Sequence, residues 1–263
     1  MVASSTPGAQ VVSRVAAILR VVSEASPAGI TTSEVVQRTA LTRQTAHRLL
    51  ASLATEGFVD RGGARGTWFV GPEIYIMGAV AADAFNITEL ALDSVRAVAR
   101  LTGESAFLSA RRGDETVCLK REEGSFPIRS FVLHEGIRFP LGVASAGIAI
   151  LAHMPKAEVD EYLNRALLAS AWGEDHSASS LRIRVDETRR AGYSVNPGLI
   201  VEGSWGMGAA IFDRNGRPQW ALSVTGVEPR FRAERLPILG RILLEHAHEV
   251  TRRLQARAEM PRG

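Results

Sequence analysis

The stretch from Thr42 to Leu53, Thr-Arg-Gln-Thr-Ala-His-Arg-Leu-Leu-Ala-Ser-Leu, constrains this chain more than any other. The Thr42 hydroxyl suits a helix N-cap, where it accepts a backbone N–H that the helix itself leaves free. Ala46, Leu49, Leu50 and Leu53 then recur at helical spacing and make one apolar face. Arg43, Gln44, His47 and Arg48 fall on the opposite side. Such a helix suits a DNA major groove, where Arg reads guanine and Gln reads adenine. A plain solvated surface helix carries the same residue types, so the flanking sequence has to decide.

Both flanks favour the groove. Val12, Val15, Ile18, Leu19 and Val22 predict a helix that begins after Ser13 and ends near Ser26-Pro27. Thr31 and Glu34 have capping-box spacing, which starts a second helix at Thr32 with Val35 and Val36 inward. It ends around Thr39, and the Thr42 helix follows at once. Two helices joined by so tight a turn predict a helix-turn-helix, although the turn lacks the usual glycine. Beyond Gly57, the runs Phe58-Val59 and Thr67–Val70 flank Arg61-Gly-Gly-Ala-Arg-Gly66, a hairpin with a basic, glycine-rich tip. Arg61 and Arg65 would touch DNA backbone phosphates; the alternative is a solvated hairpin whose glycines serve only the turn. The candidate DNA-binding set is Thr42, Arg43, Gln44, Thr45, His47, Arg48, Arg61 and Arg65.

Charge distribution agrees. The whole chain carries a formal charge of only +3, yet residues 1 to 70 hold seven arginines against four acids, the same excess. That fits a basic module joined to a near-neutral one. Apolar content of 46% and charged content of 22% describe an ordinary folded protein. The single Cys118, in the run Thr-Val-Cys-Leu, cannot form an internal disulfide and is expected as a small core residue. No secretion signal and no membrane-spanning run is expected, which points to a cytoplasmic protein.

Pro72 should open a helix that runs to about Asp83, and a further helix with Leu90, Leu92, Val95, Val98 and Ala99 inward should stop near Gly103. From there the period changes. Ser105–Ala110, Glu115–Arg121 and Ile128–Val132 read as strands. Pro140 to Ala152 reads as a loop entering a buried helix with small residues at its start. Such a start offers free N–H groups to a small anion or carbonyl, or else only permits close packing on a sheet. Helices over Pro155–Leu168 and Ser177–Arg190, the latter with Leu181, Ile183, Val185 and Thr188 on its apolar side, precede a strand from Gly192. Glu202–Gly208 reads as a glycine-rich loop. Ala209–Phe212 and Trp220–Thr225 form a hairpin around Asp213-Arg-Asn-Gly216, and Ala233–Ala258 forms a long amphipathic helix.

In its order of marks the chain resembles the IclR-type bacterial transcription regulators, over about residues 10 to 256. Those marks are Leu41-Thr-Arg-Gln-Thr-Ala-His-Arg-Leu-Leu, Glu56-Gly-Phe-Val59, Gly71-Pro72, Pro140-Leu141 before Gly147, Gly192-Tyr193, Glu202-Gly203, and Phe212-Asp213 through Ala221-Leu-Ser223 to Gly226. The resemblance implies an α+β chain: a winged helix-turn-helix joined by a linker helix to a GAF/PAS-like effector domain with a mixed or antiparallel sheet. The corresponding bounds are a disordered tail over 1–10, the DNA-binding domain over 11–72, the linker over 73–87 and the effector domain over 88–258. It further implies a homodimer or homotetramer on a palindromic double-stranded DNA operator, answering to an organic acid or aromatic catabolite. The effector pocket of the family corresponds to Ser145, Ala146, Asn196, Gly206, Ser223 and Thr225. Two positions depart from the family pattern: Gly206 stands where a cysteine is common, and Asn196 where some members have a ligand-binding aspartate. Ser223 and Thr225 alternate on one face of a strand and suit one ligand, or else bond neighbouring backbone. Trp205, Trp220 and Phe139 are candidates to line the pocket.

Other classes fare worse. Asp114, His134, Ser145, His153, Glu202 and Asp213 make no nucleophile–base–orienter series, and no Walker loop, HExxH or GxSxG pattern occurs, so no enzyme, catalytic residue, metal site or cofactor is expected. The alternative is a dimeric protein-interaction or small-molecule sensor module that binds no operator.

Overall fold

The computed structural model describes residues 10–62, 66–82 and 87–259, which fall into two units, one within Met1–Asn86 and the other within Ile87–Gly263. The first contains α1 (Gln10–Glu24), α2 (Thr32–Thr39), α3 (Arg43–Thr55), β1 (Val59–Gly62), β2 (Thr67–Val70) and α4 (Pro72–Ala82). The tail expected at the start lies outside the described residues except for Gln10, which already belongs to α1. Val12, expected inward, is exposed, because the first turn of α1 runs past a core that begins at Val15.

Local chemistry sets the helix boundaries. Thr31 caps α2 with the full reciprocal box: its side chain accepts from Glu34 N, and the Glu34 carboxylate accepts from Thr31 N at 2.8 Å. The hydrogen bonds from Thr31 hold the Glu34 carboxyl below its ordinary pKa. Thr42 caps α3 through Thr45 N. The two helices can follow so closely because Ala40 takes the left-handed conformation, φ 55°, that glycine usually supplies. Ile18, Val22, Val35, Ala46, Leu50, Leu53 and Val59 then close over Trp68. The indole N–H of Trp68 donates to Thr32 Oγ1 at 2.9 Å, and its backbone exchanges two bonds with Ile30, so the hairpin is docked beside α2.

The second unit is built on one sheet. Its elements are α5 (Ile87–Thr102), β3 (Ser105–Arg112), β4 (Glu115–Glu122), β5 (Arg138–Pro140), α6 (Ser145–His153), α7 (Lys156–Arg165), α8 (Leu168–Trp172), α9 (Ala178–Ala191), β6 (Ser194–Pro197), β7 (Ser204–Phe212), β8 (Pro218–Val227) and α10 (Leu236–Glu259). The strands lie in the order β5-β4-β3-β8-β7-β6, and every pairing is antiparallel. Ala106, Leu108, Met207, Ala209, Ile211, Leu222 and Val224 face α5 and α10. On the opposite face, Phe107 and Ala221 pack with α6, α7 and α9.

Three expectations are corrected. Ile128–Val132 is not a strand: the place beside β4 is taken by β5, and Ile128 and Phe131 are exposed. The segment is pinned instead by an Arg129–Glu123 ion pair and by Phe126 N donating to Gly103 O at 3.0 Å. Glu202–Gly208 is a loop only to Gly203, since Ser204 opens β7 and Gly206 and Gly208 are strand positions. Ile183 points out from α9, whose buried residues are Leu181, Val185 and Thr188. Cys118 sits in the core as expected, and burial pushes its thiol up to about 12. Among the described residues no helix is long and apolar enough to cross a membrane.

Ala40 supplies a test. A left-handed alanine costs about 1–2 kcal/mol, whereas glycine adopts that backbone freely. After the extra unfolded-state freedom of glycine is subtracted, Ala40→Gly should stabilise the first unit by about 0.5–1 kcal/mol, read as a higher urea midpoint. A lower midpoint would contradict the strain.

Candidate functional site

Two places gather the sequence candidates. The first is the outer face of α3. Ala46, Leu50 and Leu53 are sealed inward, while Thr42, Arg43, Gln44, His47 and Arg48 are exposed and Thr45 is half-buried beside its cap. The exposed set therefore presents two cations, Arg43 and Arg48, with Thr42, Gln44 and His47 as further hydrogen-bonding side chains, and neither arginine forms a salt bridge among the described residues. Arg61 lies on β1 with its guanidinium over the Trp68 ring, 5.6 Å from the centroid, which holds it at the hairpin. Arg65 lies outside the described residues.

The second place is a narrow cleft between α6 and the sheet, whose enclosed space of about 10 Å³ is room for one water. Val132, Leu133, Ala144, Ile200 and Trp205 give it apolar walls, and Ser145, Asn196, Ser204, Gly206 and Thr225 give it a polar side. No charged side chain lines it. The helix start supplies the electrostatics. Ala144, the N-cap, has no side-chain cap, and the first helical bond runs from Ile148 N to Ala144 O. The amides of Ser145, Ala146 and Gly147 thus have no acceptor within the helix, and its positive end meets the cleft.

Strand register explains how the polar groups meet. Thr225 is paired with Gly206 on β7 and with Ser105 on β3; Ser223 is paired with Gly208 and Phe107. All lie on the face that carries α6. Ser105, Ser223 and Thr225 are buried, and none of their hydroxyls has a hydrogen-bond partner. Buried polar groups are seldom left so. In this conformation neither Ser223 nor Thr225 bonds neighbouring backbone.

Asn196 has a different office. Its Nδ2 donates to Val143 O at 2.8 Å and its Oδ1 accepts from Leu199 N at 3.0 Å, so the amide ties the approach to α6 to β6. Ser194 Oγ adds a bond to Ser145 O at 2.7 Å. Ala146 is packed in the core and does not line the cleft. Nor do two of the proposed aromatic walls: Phe139 packs against Trp172 in the core, and Trp220 lies on the opposite face of the sheet. His176, near the same core, donates Nδ1–H to Trp172 O at 2.8 Å, and burial, reinforced by Arg184, lowers its pKa.

Sequence reasoning passed over Ser105, Ser130 and Ser204. Ser130 Oγ lies 2.6 Å from Ser204 Oγ and fastens the segment that carries Val132 and Leu133 to the end of β7. Ser105 had a signal, since it alternates with Phe107 at the start of a strand. Ser130 had none, because its partner is far along the chain.

Comparison with known proteins bears on both places. The family model described as bacterial transcriptional regulator IclR C-terminal matches residues 79–252, and the IclR helix-turn-helix domain matches residues 11–63. The chain is 26% identical to the HTH-type transcriptional regulator KipR of Bacillus subtilis over 226 residues, 86% of this chain and 90% of that protein. Among solved structures, the IclR of Thermotoga maritima superposes with a TM-score of 0.69 at 26% identity, covering 93% of this chain and 98% of that one. An IclR homologue from Microbacterium hydrocarbonoxydans, in complex with 4-hydroxybenzoate, superposes with a TM-score of 0.75 at 26% identity, covering 93% and 99%.

The tether at Asn196 can be probed directly. In Asn196→Asp a carboxylate oxygen replaces the donor that faces the Val143 carbonyl, which should cost about 1–3 kcal/mol at neutral pH. Burial and the facing carbonyl raise the folded-state pKa of the new acid. The loss is therefore full above that pKa and shrinks as acidification protonates the group. Thermal unfolding of both proteins at neutral and acid pH measures it; an equal deficit at both would refute the assignment.

Proposed function

The chain belongs to the IclR family of bacterial transcriptional regulators, a family of regulators rather than enzymes, and from that premise we propose how it reads DNA and what it senses. Residues 11–72 form the winged helix-turn-helix, 73–87 the linker and 88–258 the effector domain. The observation that carries the DNA reading is the exposed Arg43, Gln44, His47, Arg48 face of an α3 whose other side is sealed. Arg43 and Gln44 read base edges, and Arg61 and Arg65 contact phosphate. The protein acts in the cytoplasm, where its operator is.

It works as a homodimer on a palindromic site, with its two α3 helices about 34 Å apart. Support comes from α4, where Tyr75, Ile76, Met77 and Val80 are all exposed, and from Val11 and Val12 on α1. So large an apolar surface on one small unit fits an interface with a second copy.

The effector is a small organic acid with an apolar or aromatic body. Its carboxylate meets the uncapped start of α6, its body lies against Trp205, Ile200, Val132 and Leu133, and Thr225 lies on the floor. Support comes from the unpartnered Thr225 hydroxyl in that cleft and from the 4-hydroxybenzoate held by the Microbacterium homologue. Binding regulates DNA affinity to the extent that it favours one conformational state over another.

Two measurements check this reading. Arg43→Ala and Gln44→Ala should each remove about 1–3 kcal/mol of discrimination between operator and scrambled duplex, while Arg65→Ala weakens both alike. Equal losses on both duplexes from all three substitutions would count against base reading by α3. Val80→Glu should shift the sedimenting species from dimer toward monomer; an unaltered dimer would place the interface elsewhere.

A further inference from the structure

Arg61 is held by a ring rather than by an acceptor. It stands opposite Trp68 in the β1–β2 ladder, so the two side chains share one face of the hairpin. Its guanidinium carbon lies 5.6 Å from the centroid of the Trp68 ring. Gly66 also borders it, since a Cβ there would stand 3.1 Å from Arg61 Nη2 and 3.4 Å from Nε. Among the described residues Arg61 makes no hydrogen bond and no ion pair. An arginine held through a ring face spends none of its five N–H donors, and their planar fork matches a phosphate. The ring itself is fixed. Trp68 is only 3% exposed, its indole N–H donates to Thr32 Oγ1 at 2.9 Å, and its backbone exchanges bonds of 2.7 and 3.0 Å with Ile30.

We infer that Trp68 is the positioning residue of the hairpin's phosphate contact: its ring holds Arg61 in place before DNA arrives, with every donor free for one backbone phosphate. This rests on the reading of Arg61 as a phosphate contact. An arginine loose in solvent must be ordered as it binds, which costs about two- to tenfold in affinity, and the ring removes that cost in advance. Through Thr32, in the first turn of α2, the same ring ties the contact to the helix-turn-helix. Arg61 is thereby set relative to α3, and a phosphate gripped there fixes the register in which α3 meets the groove.

The test is a double-mutant cycle in the full-length protein. Binding to a fluorescein-labelled duplex of random sequence is read by anisotropy over a range of salt concentrations, with thermal unfolding as the check on folding. Such a duplex suffices because a phosphate contact is blind to sequence. Arg61→Ala alone should weaken binding about fivefold and lower the slope of log affinity against log salt by about one. Beside Trp68→Leu the same substitution should cost less than about twofold, and beside Trp68→Phe, which keeps a ring, an intermediate amount. A tryptophan that served only the core would weaken binding whatever stands at 61, so an undiminished cost of Arg61→Ala beside Trp68→Leu overturns the positioning role alone. Should the leucine variant fail to fold, the phenylalanine variant carries the cycle, and an undiminished cost there has the same force. No effect of Arg61→Ala with Trp68 in place, or no binding of the duplex at low salt, overturns the phosphate reading and the positioning role with it.

Discussion

A helix buried along almost its whole length must be seated on something flat, and α6 is seated on backbone. From Ser145 to Ala152 every residue is buried, so no side of α6 is left for solvent. Its first turn can approach β7 only because Gly208 presents no side chain, and it is held there by Ser194 from below and Asn196 from the side. The cleft follows from this seating. An uncapped helix start pressed close to a sheet leaves its free amides facing strand residues, and the strand positions beneath them carry hydroxyls.

The sheet divides its labour by parity. Leu108, Met207, Leu222 and Val224 make one face a hydrocarbon surface for α5 and α10. Their neighbours Ser105, Gly206, Ser223 and Thr225 make the other face small and polar, with Gly206 and Thr225 at the cleft, and Phe107 and Ala221 make it apolar where α6 needs support. Adjacent positions on one strand thus do unrelated work, one set holding the unit together and the other left short of hydrogen bonds.

The first unit was largely legible because its signals are local. A capping box spans three residues, and a helix face repeats every turn, so Thr31, Thr42, Ala46 and Leu50 could be placed without knowing the tertiary fold. The turn itself misled by composition, since Ala40 does what glycine usually does. The second unit was legible as an ordered list of elements but less so in detail. Ile128–Val132 has strand-like residues yet pairs with nothing, because β5 occupies the ladder beside β4. The glycines at 206 and 208 suggested a turn, and the register turns them into a seat for a helix. Ser145, Asn196, Gly206 and Thr225 line the cleft, whereas Ser223, Ala146 and Trp220 do not, since a face or a helix side is decided by contacts distant in sequence.

The two outermost strands of the sheet contrast with the four they flank. β7 and β8 run nine and ten residues and are rich in buried apolar side chains, the composition that recruits further strands when left uncovered. β5 has three residues and ends on Pro140; β6 has four and ends on Pro197. Proline donates no ladder hydrogen bond, and so short a rim gives an incoming chain little to align with. β6 covers Trp205–Gly208 of β7 and β5 covers Glu115–Val117 of β4, which blunts lateral growth into fibrils or stacked sheets along those stretches.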